Sequence, residues 1–378
     1  MKTTPAQQRV VTARFVLVVT CGLCYFLAIT MLTPVLPHYV KDELSGNDLA
    51  VGVAIGAFSV GAVLLRLFAG RIGDTRGRRF LIVSGALMVA GSTVAYGLVH
   101  SLAWLIGMRI VTGFGEAFFF VGAATMIIDL SPEERRGEAV SYWSVAVYGG
   151  LAFGPALGDV LRDHDRFLLT FVVASALAMT AAVLGLMTRD VARAERGSGA
   201  LIHRAALRPG IVLFLGLMPL SAFTPFLPLY VDQDVKTSAG LIFLIYGVLI
   251  MGVRIIGARI PDTLGPRNAG ALALVGAGSG IVLIALWPTV VGLVLGTIVF
   301  ACGMSLLYPA LLVLALVGIR DSERASVVGT FSSFFDMASG FGAAIAGGIA
   351  EVAGYRGAFA VSGGLCALGL LILRGVRQ

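Results

Sequence analysis

The sequence predicts an all-α integral membrane protein, with 12 transmembrane helices in two pseudo-symmetric six-helix bundles. Three observations predict it. Of the 378 residues, 58% are hydrophobic and 13% are charged, against roughly 25% charged in an ordinary soluble domain. So few charges cannot cover a water-soluble body of this size. The apolar residues fall in long blocks, and a bilayer-spanning helix needs about 20 of them. Finally, the phrase "TPVLPHYV" from Thr33 returns as "TPFLPLYV" from Thr224, 191 residues later. That interval is too long for a solenoid repeat and suits two large halves built on one plan.

In chain order the twelve blocks lie at residues 15–40, 49–70, 80–99, 102–128, 138–161, 167–187, 210–231, 239–260, 268–286, 289–319, 326–350 and 357–374. The first is too long for a signal peptide, ends in Pro34 and Pro37, and lacks a small-residue cleavage site. It is therefore helix 1. Residues 188–209, "TRDVARAERGSGALIHRAALRP", form the one polar segment of length. They read as a cytoplasmic linker with a short surface helix, dividing an N-terminal bundle (1–187) from a C-terminal one (210–378).

The net charge of +7 points to topology rather than to nucleic acid. The N-terminus, the even-numbered loops and the C-terminus carry 20 of the 28 Lys and Arg, and the odd-numbered loops carry five. Basic loops stay on the cytoplasmic side, so both termini are expected there. Trp104 and Trp287 then fall near the outer interface and Trp143 near the inner one. All four cysteines, Cys21, Cys24, Cys302 and Cys366, lie in apolar blocks. The CxxC of Cys21 and Cys24 has no second pair and no nearby His, so it reads as small buried residues rather than a redox or metal site. The four histidines form no cluster, and neither GxxxxGK[ST] nor HExxH occurs. No metal, no cofactor and no enzyme activity are expected.

The halves echo each other elsewhere. Helix 2 ends in "GRIGDTRGRR" (Gly70 to Arg79) and helix 8 in "ARIPDTLGPR" (Ala258 to Arg267), with Arg66 and Arg254 at matching positions. "PEERRGEA" after helix 4 returns faintly as "DSERASVV" after helix 10, and "DHDRFLLTFVVASALA" as "GYRGAFAVSGGLCALG". Displacements of 188–192 residues in order imply two like halves, related by an axis along the membrane normal. Nearly the whole chain resembles a twelve-helix major facilitator superfamily transporter, of the drug/proton antiporter group. Gly70-x-x-x-Asp74-x-x-Gly77-Arg78-Arg79 is similar to the family's loop between helices 2 and 3, with Thr75 where a basic residue is usual and Arg76 one place later. Glycines there permit a tight turn, and the carboxylate can take Arg partners or cap a helix. The resemblance implies gating for this loop and, more weakly, for its copy at Asp262.

Ionisable groups deep in a bilayer are costly and functional by default. Helix 4 carries Arg109 and Glu116 seven residues apart, two turns and about 10 Å along one face. Asp336 is a second deep carboxylate, on helix 11. The matching positions on helices 10 and 5 are uncharged. Arg109-x-x-x-Gly113-x-Gly115 resembles the family's helix 4 motif, whose Arg is implicated in proton coupling. The expectation is that Glu116, and after it Asp336, exchanges a proton, with Arg109 tuning Glu116; the plainer alternative is a static interhelical pair. Asp159, near the outer end of helix 5, is read evenly as functional or simply solvated. Arg66 and Arg254 are read as anchors that snorkel to the cytoplasmic face.

Helix 5 contains Gly150-x-x-x-Gly154-Pro155-x-x-Gly158, similar to a motif of proton-coupled exporters, with Asp159 in place of the usual final Gly. Small residues at this spacing also serve plain helix packing. Phe26, Met31, Phe119, Tyr148, Met304, Tyr308, Phe331 and Phe334 are candidate cavity residues for an adaptable apolar ligand. The leading expectation is proton-coupled export of small hydrophobic or amphipathic molecules, with the proton gradient as energy source. The alternative is a proton-linked carrier of a specific metabolite such as a sugar or metallophore, and a non-transporting sensor on this fold stands behind both. The expected setting is a bacterial inner membrane, with a small-molecule substrate, protons and lipid as partners, no nucleic acid, and a monomeric chain.

Overall fold

The computed structural model describes residues 11–98, 101–132, 135–162, 167–190, 203–256, 264–319 and 321–375. Among them every regular element is a helix. The long ones are α1 (Ala13–Thr30), α2 (Asp48–Arg76), α3 (Arg78–Tyr96), α4 (Leu102–Asp129), α5 (Arg136–Arg162), α6 (Phe167–Met187), α7 (Leu207–Tyr230), α8 (Ala239–Ile256), α9 (Pro266–Leu286) and α10 (Val290–Leu316). A final run, Asp321–Arg374, is broken at Gly354, whose φ is +69°. It therefore holds two helices, α11 (321–353) and α12 (355–374). Ten stretches are long and apolar enough to cross a membrane, the last of them containing both α11 and α12, and α8 adds a shorter apolar stretch, Ala239–Val253. The twelve expected spans are accounted for.

Local chemistry sets the boundaries. Side-chain oxygens of Thr12, Asn47 and Thr289 accept from amides in the first turns of α1, α2 and α10, satisfying donors with no partner inside the helix. The repeated phrase marks the same place in each half. After α1 the chain passes through a one-turn helix, Val35–His38, into a π-turn, Tyr39–Glu43. The second copy ends α7 and enters a π-turn at Val231–Val235. Its prolines, Pro225 and Pro228, lie within α7 and remove ladder donors just before the turn. Gly77 (φ +98°) and Gly265 (φ +78°) join α2 to α3 and α8 to α9, so the turn of the repeated loop is also duplicated.

The halves meet through two helix pairs, α2 with α11 and α5 with α8, which the repeat relates to each other. Small residues make both approaches close. A Cβ on Gly52 or Gly56 would run into the backbone of Ala343 or Gly340, and one on Gly247 into Ala152. Without a hydrophobic drive between helices in lipid, such close backbone packing supplies the attraction. Trp143 departs from its expected place at the inner interface. It is buried, with its ring over Gly22 and 5.7 Å from the Phe26 ring, because Gly22 leaves a gap on α1 that only a large side chain fills. Trp104 and Trp287 are exposed. The four cysteines are free thiols. Most of the polar linker, residues 191–202, lies outside the described residues; His203 begins a short turn, Arg204–Ala206, that leads into α7.

Candidate functional site

Three charged side chains from three helices come together. Arg66 on α2 donates through Nη2 to Glu116 on α4 at 2.7 Å. Through Nη1 it reaches both oxygens of Asp336 on α11, at 2.8 and 2.6 Å. The Arg66 guanidinium also lies 5.4 Å from the centre of the Phe120 ring. This corrects two expectations. Arg66 is not a snorkelling anchor, because α2 continues to Arg76 and sets Arg66 about 15 Å inside that end. Nor does Arg109 pair with Glu116; Arg66 is the cation that meets both carboxylates. The side chain of Arg254, the copy of Arg66, lies outside the described residues.

Arg109 points elsewhere. Its Nε donates to the Ala54 carbonyl at 3.2 Å and its Nη2 to that of Ile55 at 3.4 Å. Its guanidinium sits 4.8 Å from the Phe58 ring centre. Gly113 and Gly115 allow this approach, since Cβ atoms there would strike Phe58 on α2 and Gly85 on α3. Arg109 helps to line a cavity of roughly 200 Å³ between the halves. Hydroxyls of Thr33, Ser59, Ser221, Thr224 and Ser339 share its wall with apolar side chains of α1, α2 and α7.

None of the eight aromatic and Met candidates lines that cavity. Phe26 and Phe119 belong to the core of the N-terminal bundle, where Phe119 stacks on Tyr25. Met31, Met304 and Phe331 are core residues of the larger cluster. Tyr148 packs against that core, Tyr308 bonds Ser332 and meets Phe331, and Phe334 fills the space over Gly210. The aromatic side chain on that cavity's wall is Phe58 instead.

At the end carrying the odd-numbered loops, polar contacts tie the halves together. His38 Nε2 lies 2.7 Å from Asp232, which also meets Arg162 at 3.4 Å. Asp159 accepts from Ser238 Oγ at 2.7 Å and from the Gly240 amide at 2.9 Å, capping α8 from α5. Glu351 accepts from the Asp48 amide at 2.9 Å, capping α2 from α11. The two caps correspond, each partner lying 192 residues from its counterpart. Asp159 is thus engaged rather than simply wet. Its role was illegible because its partners sit 79 and 81 residues away.

At the opposite end, Arg78 pairs with Asp129 at 3.2 Å and donates to the Gly73 carbonyl at 3.0 Å. The Arg79 amide donates to Asp190 at 2.9 Å, so a carboxylate from beyond α6 caps α3. The side chain of Asp74 and all of Asp262 lie outside the described residues. Gly77 is required by its positive φ, but a Cβ on Gly70 would meet nothing within 4 Å. On helix 5, Cβ atoms on Gly150, Gly154 and Gly158 would strike Phe26, Thr30 and Met31 respectively. That motif, with Pro155 inside the helix, is the seam between α5 and α1. Among the described residues no His, Cys, Asp and Glu side chains group to hold a metal ion.

Comparisons with known proteins agree with this architecture. The Major Facilitator Superfamily model matches residues 18–321 and again 211–377. An uncharacterized MFS-type transporter of Salmonella typhimurium is 28% identical over 92% of both chains. One from Burkholderia mallei is 27% identical over 96% of this chain and 91% of its own. Among solved structures, a bacterial homologue of the human lysosomal transporter Spinster, inward-facing and occupied, superposes with a TM-score of 0.80 at 17% identity, covering 96% of each chain. The human organic anion transporter MFSD10 gives 0.68 at 22%, covering 95% of this chain and 99% of its own. These likenesses show the fold alone. With the family model matched along most of its length, the chain belongs to the Major Facilitator Superfamily, and it is a multi-pass secondary transporter of the alternating-access kind, not an enzyme.

Proposed function

We propose that the protein is a proton-coupled exporter of small amphipathic molecules, in which Glu116 and Asp336 exchange the proton and Arg66 is their shared counter-ion. One observation carries this reading: Arg66 joins Glu116 within its own half to Asp336 in the other half. A proton on Asp336 would remove the charge that holds Arg66 across the boundary and leave the guanidinium to Glu116. Loss of that link would free α2 from α11 at this depth, so protonation and rocking of the bundles become one event. The bundles 1–187 and 210–378 move as units about the linker 188–209.

The lean towards export rests on the helix 5 motif, and the lean towards amphipathic cargo on the cavity wall, which offers hydroxyls and one guanidinium but no Asn or Gln. The loop from Gly70 to Arg79, with Arg78 on Asp129, acts as the gate at the even-loop end. Arginine placement supports both termini in the cytoplasm, and the chain is taken as a monomer in a bacterial inner membrane. The test is substrate-induced proton movement in proteoliposomes under an imposed pH gradient, with a panel of amphipathic compounds. Gradient collapse that needs a compound and is lost in Glu116→Gln or Asp336→Asn is expected. A response that survives both substitutions would remove these carboxylates from coupling.

A further inference from the structure

We infer that the central cavity takes an amphipathic organic anion, with its carboxylate or similar oxyanion held by Arg109. The inference rests on reading this cavity as the transport site and adds the class of molecule it accepts. Arg109 is 6% exposed, and a guanidinium stays charged in any protein setting. A buried charge without an opposite partner is costly. Among the described residues no carboxylate pairs with Arg109, and its Nη1 donates to none of them; its bonds go only to the carbonyls of Ala54 and Ile55. Those carbonyls already serve the ladder of α2, so they moderate the charge without neutralising it.

The two deep carboxylates that could have neutralised it are committed. Both Glu116 and Asp336 face Arg66, and Glu116 stands about 10 Å from Arg109 along α4. Among the described residues nothing supplies the opposite charge that Arg109 lacks, and a ligand in the cavity would supply it. The cavity wall around it is arranged for that. Thr33, Ser59 and Thr224 line the cavity, and their hydroxyls make no hydrogen bond among the described residues, leaving three donors from both halves for an oxyanion. Ser221 and Ser339 give their hydroxyl protons to Ala338 and Phe335 instead. The rest of the wall, including Leu32, Ile55 and Leu220, suits an apolar body. A cationic head of the same size would face Arg109 with like charge and no carboxylate to meet it.

The test uses three probes with one apolar body and different charge: 1-naphthaleneacetate, its neutral amide, and 1-naphthylmethylammonium. Binding of each to the full chain in lipid nanodiscs is measured by displacement of radiolabelled 1-naphthaleneacetate, so that partition into lipid cancels. The expected result is displacement by the anion at least about tenfold more potent than by the amide or the ammonium, ~1.4 kcal/mol of preference. The preference should vanish in Arg109→Gln and persist in Arg109→Lys. Equal potency, a preference for the ammonium, a preference that survives Arg109→Gln, or no displaceable binding at all would overturn the assignment. If Arg109→Gln does not fold, the rank order of the three probes on the wild type and Arg109→Lys still decides. The readout involves no proton gradient, so loss of proton coupling with retained anion preference would count against the coupling reading alone.

Discussion

Arg66 on α2 holds both carboxylate oxygens of Asp336 on α11 at 2.6 and 2.8 Å, so a single guanidinium spans the boundary between the two halves. Removing it strands two carboxylates in a bundle interior, and breaking a largely buried pair from one side costs about 3–5 kcal/mol. Arg66→Gln should therefore lower the unfolding temperature of the detergent-purified protein markedly. Adding Asp336→Asn to it should restore part of the loss, because the second change removes the charge the first left unpaired. Simple additivity of the two losses would show that the pair is not coupled.

The cap that Asp159 places on α8 should help to keep the odd-loop end shut. Asp159→Gly, which restores the residue usual in the family, removes an acceptor from Ser238 and Gly240. Hydrogen bonds to a charged group contribute about 1.5–3 kcal/mol each net of exchange with water, and less at an end where solvent screens the charge. A cysteine placed at Thr224 on the cavity wall, in an otherwise cysteine-free chain, should react roughly tenfold faster with a membrane-impermeant maleimide added to the odd-loop side. Asp159→Asn, which keeps one acceptor, should fall between. An unchanged rate would mean that the cap does not govern opening.

Two glycines of helix 5 and one near the end of α2 differ sharply in tolerance. A Cβ at Gly158 would enter the Met31 backbone, and one at Gly154 the Thr30 side chain, while one at Gly70 meets nothing within 4 Å. Overpacking of this kind typically costs about 1–3 kcal/mol and more where backbone must shift. Gly158→Val and Gly154→Val should abolish the monodisperse peak in fluorescence-detected size exclusion, and Gly70→Ala should leave it intact. A tolerated Gly158→Val would mean that α1 and α5 separate easily.

Gly77 and Gly265 are strained for any residue with a Cβ, since both have positive φ. With ψ at 159° and 149° they lie where essentially only glycine goes, and alanine should cost about 1–3 kcal/mol at either. The cost should be greater at Gly77, where the added Cβ also meets the Asp190 carboxylate, than at Gly265, where it meets nothing. Thermal unfolding of Gly77→Ala and Gly265→Ala, measured side by side, checks the order.

Much of the fold was legible because the bilayer imposes lengths and the chain repeats itself. The twelve apolar blocks became twelve helices, and the two copies of the opening phrase ended in matching π-turns. The site was only partly legible. That Glu116 and Asp336 are deep carboxylates followed from their place in apolar blocks. That Arg66 binds both did not, because its partners lie 50 and 270 residues away, and a one-dimensional reading favoured Arg109, two turns from Glu116 on the same helix. Nor did the apolar block 49–70 show that α2 runs on to Arg76, which sets Arg66 well inside the helix. The aromatic candidates lie off the wall of this cavity, because residue type indicates what suits a ligand and not which side of a helix faces empty space.

The paired caps at the odd-loop end also bear on how easily the molecule can switch. Part of what holds that end shut is backbone amide meeting carboxylate, Gly240 with Asp159 and Asp48 with Glu351, beside an apolar core shared by both halves. When the end opens, each amide and each carboxylate can turn to a water molecule and lose little, because water is a fair substitute for both. The apolar side chains packed beside them, Leu36 and Tyr39 with Leu227 and Tyr230 among them, have no such replacement. The caps therefore fix where the two halves dock at that end while adding little of their own to the cost of parting them, which falls on the apolar contacts.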